Sequence, residues 1–429
     1  MEHTTCCVIG GGPAGMMLGL LLARAGVPVR VLEKHGDFLR DFRGDTVHPS
    51  TVRLLDELGL GDRFDRLPQS RLEQVGFPID EAQTMLVVGD FRRLPGRYPY
   101  IAMVPQWDLL SLLAEAASEE ASFSLTMNAE ATDLVWEGGR VAGVHYRDPG
   151  DPDGVTQELR ADLVVACDGR TSMARSEARL PVTEYDCPID AWWFRLPRHA
   201  GEVTAALTPR MGKGRFAIVI PRENFFQIAY VAPKGTDAAL RARGIEAFRA
   251  DVAEIIPSMA DRVGSLRSMD DVKWLDVRLN LLHRWHVDGL LCIGDAAHAM
   301  SPVGGVGINL AIQDAVAAAT LLAEPLRRGR VRPGDLAAVH RRRIVATRLV
   351  QGLQRLMHRG IVTPVLESRR QRPPRPLLAL LRRVPQISVV PAYLIGFGFR
   401  PEHAPPYARR RGGGDRSPAS TTVREPAAS

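Results

Sequence analysis

The feature that most constrains this chain is a glycine-rich turn, Gly10 to Gly15 (GGGPAG), set between two apolar runs. The run at 4–10 has the length of a short buried strand, and the run at 13–25 has that of a buried helix. A second strand is predicted at 29–32. Gly10 permits the tight turn, and Gly15 lets the helix lie close to the strand. This pattern predicts a βαβ opening and an α/β fold, whose parallel sheet is covered on both faces.

The same turn has the chemistry of a dinucleotide site. Gly12 lets the backbone approach a pyrophosphate, which the free N–H groups and dipole of the helix N-terminus would hold. Glu33 follows Gly15 by 18 residues and ends the second strand, where a carboxylate accepts hydrogen bonds from both hydroxyls of an adenosine ribose. A carboxylate there repels a 2′-phosphate, so the site suits FAD or NAD rather than NADP. The alternative, a purely structural glycine turn, does not explain why strand, helix and acid all have this spacing.

Composition excludes several classes of protein. The 429 residues are 45% apolar and 24% charged, which is ordinary for a soluble globular protein of one large or two modest domains. Collagen, disulfide scaffolds and wholesale disorder are therefore ruled out. The five cysteines form no Cys-x-x-Cys pair, which predicts buried thiols and a cytoplasmic protein. The N-terminus leads directly into a strand, so no signal peptide is expected.

Positive charge is concentrated late in the chain. Residues 327–384 hold sixteen arginines and only two acidic residues. Such a segment could bind nucleic acid or an anionic membrane, or it could form helices with solvated basic faces. We favour solvated faces and predict no nucleic-acid partner, because no nucleic-acid motif accompanies the charge. The apolar stretch 376–399 is interrupted by arginines and prolines, which excludes a membrane span but leaves a weak membrane-surface contact open.

The pattern of apolar residues changes between 180 and 275, where short aromatic and β-branched runs predict an antiparallel sheet in a second domain. From 403 onward, Pro, Gly, Ser, Thr, Ala and Arg dominate, which predicts disorder. We therefore predict a dinucleotide-binding domain, a β-sheet substrate domain, a basic helical region and a disordered tail. The dinucleotide-binding domain comprises 1–73, 97–179 and 272–330, and the substrate domain comprises 74–96 and 180–271. The basic helical region is 331–402, and the disordered tail is 403–429.

A second motif follows another predicted strand, in the segment 161–175 (ADLVVACDGRTSMAR). The strand delivers Asp168 to its C-terminal end, and Gly169 allows close approach of a ligand to the backbone. An isolated Asp-Gly pair would be read as a plain turn. The addition of Ser172 and Arg175 makes the pattern specific.

With these motifs the sequence resembles the flavoprotein monooxygenases of the para-hydroxybenzoate hydroxylase type, over roughly residues 4–402. The segment 291–315 (LCIGDAAHAMSPVGGVGINLAIQDA) is similar to the family's Gly-Asp segment almost residue for residue. The resemblance implies FAD as cofactor, with Asp295 on its ribityl hydroxyls and the turn from Pro302 to Gly307 beneath the isoalloxazine. The helix that follows would point its N-terminus at the flavin pyrimidine and raise the flavin potential.

The resemblance also assigns Arg43 a place near flavin and substrate, and Gln106 a place beside the adenosine. Either residue could instead be a surface contact or a helix cap. A further position, His48, would lie near the isoalloxazine. The cofactor-binding residues predicted from the motifs and the resemblance are Gly10, Gly12, Pro13, Ala14, Gly15, Glu33, Lys34, Arg43, Gln106, Asp168, Gly294, Asp295, Pro302, Gly305, Gly307, Ile308 and Asn309.

The activity implied by the resemblance is hydroxylation of an aromatic or polyketide-like small molecule through a flavin C4a-hydroperoxide. NADPH or NADH would reduce the flavin and O₂ would be the oxidant. No second Gly-x-Gly-x-x-Gly exists, so no dedicated nicotinamide domain is expected. Two alternatives stay open: a membrane-associated oxidoreductase of this fold (a quinone hydroxylase or isoprenoid reductase), and a non-catalytic flavin-binding protein. The family's halogenases carry Trp-x-Trp-x-Ile-Pro, which is absent here.

The catalytic residues are not evident from the sequence. No side-chain base is assigned, although Pro302 and Gly305 are expected near the isoalloxazine, and no metal-ligand spacing is present. His298 is expected to be a hydrogen-bonded structural group rather than a base. Seven aromatic residues could form a substrate wall, but alternating aromatics on strands usually belong to a core; they are Trp192, Trp193, Phe194, Phe216, Phe225, Phe226 and Tyr230.

Overall fold

The computed structural model describes residues 2–39, 46–78, 85–151, 154–199, 201–202, 208–212, 214–222, 224–367 and 383–410. The strands are β1 Glu2–Ile9, β2 Val29–Leu32, β3 Thr46–Val47, β4 Ser70–Leu72, β5 Gln74–Pro78, β6 Met85–Asp90, β7 Ile101–Met103, β8 Phe123–Thr126, β9 Glu130–Glu137, β10 Arg140–Arg147, β11 Gln157–Ala166, β12 Val182–Tyr185, β13 Ile189–Pro197, β14 Thr208–Met211, β15 Phe216–Pro221, β16 Phe225–Pro233, β17 Lys273–Leu275, β18 Leu279–Leu282, β19 His286–Val287 and β20 Leu290–Cys292. The α-helices are α1 Pro13–Arg24, α2 Pro49–Glu57, α3 Gly61–Asp65, α4 Gln106–Ser118, α5 Met173–Glu177, α6 Asp237–Ala242, α7 Gly244–Ile255, α8 Gly307–Arg327, α9 Pro333–Met357, α10 Thr363–Leu366 and α11 Val389–Gly396.

The largest sheet contains the βαβ opening. Its strands follow the order β19-β20-β11-β1-β2-β8, with β10 also paired to β11 and β9 to β10. The pairs of β1 with β2 and β11 are parallel, as are β2 with β8 and β11 with β20. Strand β1 is buried from Cys6 to Ile9, as expected for a central parallel strand covered on both faces. The predicted α/β fold with a parallel sheet is confirmed.

Helix α1 covers this sheet and packs against the Ala-rich helix α8, which in turn packs against α9. All five cysteines are free thiols, and four of them are buried. Among the described helices, none has both the length and the apolarity that crossing a membrane requires.

A second sheet is antiparallel, with the order β14-β15-β16-β13-β17. Strand β13 pairs with β16 along its whole length, from Ile189 opposite Pro233 to Pro197 opposite Phe225. One face of the sheet packs on α7 through a core that includes Trp192, Phe194 and Phe248. The antiparallel sheet predicted between 180 and 275 is therefore confirmed, although residues 203–207 of that range lie outside the described residues.

The C-terminal part departs from the sequence expectations at two points. Residues 403–410, predicted to be disordered, pack on the first domain: Ala404 and Ala408 are buried, and Glu57 accepts a 2.7 Å hydrogen bond from the Ala404 N–H. Residues with small side chains are buried here by tertiary packing, so a composition poor in large apolar residues does not imply disorder. The charge of α9 is also not wholly solvated, because Arg343 is 1% exposed and paired with buried acids.

Candidate active site

The site is a cavity of about 810 Å³ between the two sheets. One half follows the carboxyl ends of β1, β2 and β11, and it is lined by the glycine turn, Glu33, Lys34, Gln106 and Asp168. The other half, which we call the apolar compartment, is lined by the antiparallel sheet and the C-terminal helices. The loop 300–305 lines the cavity as well.

The glycine turn has the geometry that its sequence predicts. Gly10 has φ +99°, and a Cβ there would lie 2.6 Å from the carbonyl oxygen of Cys167. A Cβ on Gly15 would lie 2.0 Å from the carbonyl oxygen of Gly10, so helix and turn touch at this glycine. A Cβ on Gly12, by contrast, would meet no atom within 4 Å. The N-terminus of α1 is thus open toward the cavity at Gly12, where a phosphate can approach the backbone N–H groups.

The second strand ends with the Glu33 carboxylate in a defined orientation. Glu33 is 2% exposed, its Oε2 accepts a 2.8 Å hydrogen bond from the Gly11 N–H, and its Oε1 accepts one of 3.0 Å from the His35 N–H. Because each carboxylate oxygen accepts more than one hydrogen bond, Glu33 can also accept from ribose hydroxyls.

Two acceptor atoms on cavity-lining residues are buried and lack a partner among the described residues: Asp168 Oδ1 and Gln106 Oε1. Asp168 Oδ2 accepts a 3.2 Å hydrogen bond from the Ala174 N–H, and burial raises the pKa of this carboxyl. A buried acceptor without a donor costs free energy, so both atoms fit a ligand that brings hydroxyl or amino donors. FAD carries such groups on its ribityl chain, ribose and adenine, so these residues fit FAD.

The Gly-Asp turn lies between α1 and α8. Gly294 has φ +60°, and a Cβ there would lie 3.2 Å from the Ala311 Cβ and 3.3 Å from the Ala14 Cβ. The side chain of Asp295 lines the cavity, with its Oδ2 4.0 Å from Arg170 Nη2. Gly294 lies behind the cavity surface, as Gly15 does, and shapes the turn rather than lining it.

Beneath this turn is a buried ionic cluster that holds it in place. Asp314 is fully buried, and its Oδ2 accepts a 3.2 Å hydrogen bond from the Gly294 N–H and lies 2.5 Å from His298 Nε2. Its Oδ1 accepts a 2.9 Å hydrogen bond from Arg343 Nε. Burial alone would raise the pKa of Asp314, but the charges and hydrogen bonds of His298 and Arg343 outweigh it and hold that pKa low. The expected structural role of His298 agrees with this geometry.

The next turn, from Pro302 to Gly307, lines the cavity together with Ile308. Gly305 has φ +63°, and a Cβ there would lie 2.4 Å from Thr46 Oγ1, which donates a 2.8 Å hydrogen bond to the Gly305 carbonyl. The 21-residue helix α8 begins at Gly307, so its N-terminal N–H groups lie at the cavity.

Asn309, which the sequence predicts to bind the cofactor, has its side chain engaged within the protein. Its Oδ1 accepts 2.8 Å hydrogen bonds from the His48 N–H and from Thr51 Oγ1, and its Nδ2 donates to the Thr46 carbonyl at 2.9 Å. The side chain therefore ties α8 to the segment around β3 and does not line the cavity, so any contact with the cofactor falls to its backbone. Arg43 lies outside the described residues.

One face of the antiparallel sheet lines the apolar compartment. Alternate residues of three strands line it, among them Trp193 of β13, Phe216 and Ile218 of β15, and Val231 of β16. Of the seven aromatic candidates, Trp193 and Phe216 line the cavity, whereas Trp192, Phe194, Phe226 and Tyr230 belong to the core on the opposite face. Among its described lining residues none carries a charge.

Several residues of this compartment were missed by sequence analysis. Met357 at the end of α9, Ile361 and Val362 in the π-helical turn His358–Val362, and Ile395 in α11 all line the cavity. The sequence predicts only basic helices for these segments, and no local pattern marks these side chains as pocket residues. Only tertiary packing brings them there, since α9 packs on α8 and β19, and α11 packs on β6.

The comparisons with known proteins agree with this geometry. The sequence profile of the FAD binding domain family matches residues 3–352. The chain is 36% identical to 6-methylpretetramide 4-monooxygenase of Streptomyces rimosus over 393 residues, which cover 91% of this chain and 90% of that protein. It is 27% identical to rifampicin monooxygenase of Streptomyces venezuelae, covering 72% of this chain and 61% of that protein.

Solved structures share the fold. The anhydrotetracycline hydroxylase OxyS of Streptomyces rimosus superimposes with a TM-score of 0.72 at 24% identity, covering 92% of this chain and 76% of that chain. The chain belongs to the FAD binding domain family. Within it, the protein is an FAD-dependent monooxygenase of the para-hydroxybenzoate hydroxylase type.

Proposed function

We propose that the protein uses NADPH or NADH and O₂ to hydroxylate an uncharged, multi-ring aromatic polyketide. The observation that carries this proposal is the continuity of the cavity, which joins a dinucleotide cradle to a compartment whose described walls are apolar. A compartment without charged side chains favours a flat apolar ring system over a small aromatic acid, because a buried carboxylate needs a partner. The similarity to a 6-methylpretetramide monooxygenase supports the same substrate class.

The proposed domains follow the two sheets. The described strands of the parallel sheet fall within 1–73, 97–179 and 272–330, which supports the assignment of these ranges to FAD binding. Strand β17 at Lys273–Leu275 pairs with β13, so the boundary of the substrate domain belongs after residue 275 rather than at 271. The ranges 74–96 and 331–402 remain assigned to the substrate side and to the C-terminal helices.

We assign the cofactor to the cradle residues as follows. The backbone of Gly12, Pro13 and Ala14 would lie against the pyrophosphate, to which Gly12 and Ala14 have N–H groups to donate, whereas Pro13 has none. Glu33 and Lys34 flank the adenosine ribose, and Gln106 offers an acceptor beside it. Bound FAD would take a hydride from the nicotinamide and activate O₂.

On the flavin side, we assign Asp168 and Asp295 to accept hydrogen bonds from the ribityl hydroxyls. The turn carrying Pro302 and Gly305 would support the isoalloxazine, and the first N–H groups of α8, from Gly307 to Asn309, would face its pyrimidine. Partial positive charge at that helix end would stabilise negative charge on the reduced ring.

The apolar compartment would position the substrate ring and exclude water from it. Trp193, Phe216 and Ile218 provide broad apolar contact on one wall, and Met357 and Ile361 provide it on another. Because the described walls offer no general base, we expect a ring that is already electron-rich through its own hydroxyl groups. Water exclusion would protect the oxygen-transfer step from side reactions.

The test is anaerobic reduction of the bound flavin by NADPH and by NADH, with and without candidate substrates. We expect 6-methylpretetramide or anhydrotetracycline to accelerate bleaching of the flavin, and 4-hydroxybenzoate to have no effect. Admission of air with the accepted compound should then yield a product heavier by one oxygen. Acceleration by 4-hydroxybenzoate alone would overturn the proposed substrate class, and a protein that never binds FAD would overturn the assignment of the cradle.

A further inference from the structure

Helix α9 presents a row of buried polar side chains to the centre of the molecule. Gln351 and Gln354 are each 2% exposed, and His358, just after the helix, is 3% exposed. Their spacing of three and four residues places them on one helix face. Polar groups buried this deeply need hydrogen-bond partners, so their hydrogen bonds identify which segment this helix face holds in position.

The partners of the two glutamines are the carbonyl of Asn280 in β18 and three carbonyls in the segment that precedes α8. Gln351 Nε2 donates to the Asn280 carbonyl at 2.7 Å and lies 3.3 Å from the Ala299 carbonyl. Gln354 Nε2 donates to the carbonyls of Ser301 and Val303, at 2.8 Å each. These two carbonyls flank Pro302, at the start of the turn assigned to the isoalloxazine.

His358 completes the row through the side chain of the same loop. Its Nε2 lies 2.9 Å from Ser301 Oγ, which also accepts a 3.3 Å hydrogen bond from the Val303 N–H. His358 Nδ1 has no partner in the described part of the chain. A buried N–H without an acceptor is costly, so we assign the tautomer in which Nε2–H donates to Ser301 Oγ. Burial lowers the pKa of His358, which agrees with a neutral imidazole.

The same stretch of chain also forms a wall of the apolar compartment. Met357 lines the cavity beside His358, and the turn from His358 to Val362 is π-helical. Ile361 and Val362 of that turn line the cavity too. A π-helical turn changes the angular spacing of its side chains. Here the side chain of His358 contacts the loop, while those of Met357, Ile361 and Val362 line the apolar compartment.

We propose that Gln354 and His358 are positioning residues that set the loop 301–305 against the flavin and couple its position to the substrate wall. This proposal rests on the proposed function of that loop as the support of the isoalloxazine. The two side chains hydrogen-bond to residues on both sides of Pro302. Removing these hydrogen bonds would therefore make the loop more mobile, while the glycine turn and Asp295 stay intact. The flavin would then bind more weakly and respond less to a ligand in the apolar compartment.

The variants separate this role from a general effect on folding. Gln354→Met keeps the length of the side chain but removes the donor to both carbonyls. His358→Met removes the donor to Ser301, whereas His358→Gln retains a donor at a similar reach. Thr347→Val is the matched control, because Thr347 is also buried on α9 but donates to the Arg343 carbonyl of its own helix.

Three quantities are measured for each folded variant: the FAD dissociation constant, the reduction potential of the bound flavin, and the change of its visible spectrum when anhydrotetracycline is added. We expect Gln354→Met and His358→Met to raise the dissociation constant roughly tenfold, as loss of about one hydrogen bond does. Both should shift the potential and diminish the spectral response. His358→Gln should recover most of the wild-type behaviour, and Thr347→Val should keep all of it.

The proposal is overturned if Gln354→Met and His358→Met match Thr347→Val in affinity, potential and spectral response. It is also overturned if His358→Gln is as impaired as His358→Met, because hydrogen bonding to Ser301 would then not be the cause. Should Gln354→Met not fold, the pair at position 358 decides. Wild-type protein that fails to bind FAD would instead contradict the proposed function of the cradle.

Discussion

The two halves of the cavity are built by different kinds of sequence information. The dinucleotide half consists of short motifs in which backbone conformation is the requirement: a positive φ at Gly10, a helix touching the turn at Gly15, a strand ending in Glu33. The apolar compartment has no motif, and its walls come from one face of a sheet and from helices far along the chain. Local backbone geometry thus marks a cofactor site, whereas a substrate wall depends on which faces meet.

The largest expected effect lies under the dinucleotide half. Asp314→Ala should lower the free energy of unfolding by about 3–5 kcal/mol, because it removes the acceptor of the Gly294 N–H and of Arg343 Nε, and leaves the buried guanidinium with Glu402 at 3.6 Å. Asp314→Asn, which keeps an acceptor, should cost less. Denaturant unfolding of the apoproteins measures this, and wild-type stability in Asp314→Ala would mean that the cluster does not support the turn.

Gly12→Val should weaken FAD binding without preventing the protein from folding. A Cβ at Gly12 meets no protein atom within 4 Å, so the apoprotein should fold, whereas the side chain would occupy the pyrophosphate position. We expect FAD affinity to fall roughly 100-fold, equivalent to about 2.7 kcal/mol. Gly334→Val is the control, since a Cβ there is also unobstructed and the site is remote on α9. A Gly12→Val protein that retains stoichiometric FAD would refute the cradle assignment.

His48 joins the two halves and makes the stability depend on pH. Its ring Nδ1 lies 2.7 Å from the carbonyl of Ile395, and burial lowers its pKa to about 4, below the ordinary 6.5. Since the unfolded chain binds this proton more readily, the stabilisation is present above pH 6.5 and is lost as the pH falls toward 4. The loss should reach about 2 kcal/mol by pH 5.

The contribution of His48 to the pH dependence is obtained by comparing the unfolding free energies of the wild-type protein and a variant that cannot titrate at this position. His48→Asn keeps a donor for the Ile395 carbonyl but cannot titrate, so its unfolding free energy should decline less between pH 7 and pH 5. The difference between the two curves removes contributions from other histidines. Parallel curves for wild type and variant would show that His48 is protonated as easily in the folded protein as in the unfolded chain.

The smallest effect is expected from a substitution in the apolar compartment, which should change ligand binding and leave the dinucleotide half unaffected. Ala229 lies in β16 and lines the apolar compartment, so Ala229→Phe reduces the space for a ring system without touching the cradle. We expect the anhydrotetracycline concentration needed for half-maximal acceleration of flavin reduction to rise about tenfold, as steric changes in apolar pockets do. FAD affinity should not change. A loss of FAD with unaltered ligand response would reverse the assignment of the two halves.

Much of the fold was predictable because its signals are local. Apolar runs of strand and helix length, together with glycines at fixed offsets, predicted the parallel sheet and α1, and short β-branched runs predicted the antiparallel sheet. The prediction of disorder is wrong for 403–410 because Ala404 and Ala408 are buried by tertiary packing, which composition does not reveal. Asn309 was assigned to the cofactor by its motif, but its side chain binds the segment around β3.

The amino-acid sequence by itself determined the class of cofactor and the architecture that holds it, since a turn that must adopt positive φ and admit a phosphate is encoded in a few adjacent residues. Only the tertiary structure decided which face of the second sheet lines the cavity, and that α9 contributes both to a wall of the apolar compartment and to the hydrogen bonds with the loop 301–305. The physical reason is that burial and pairing are long-range: Gln354 meets Val303 across 51 positions of chain, and nothing in either neighbourhood records that contact.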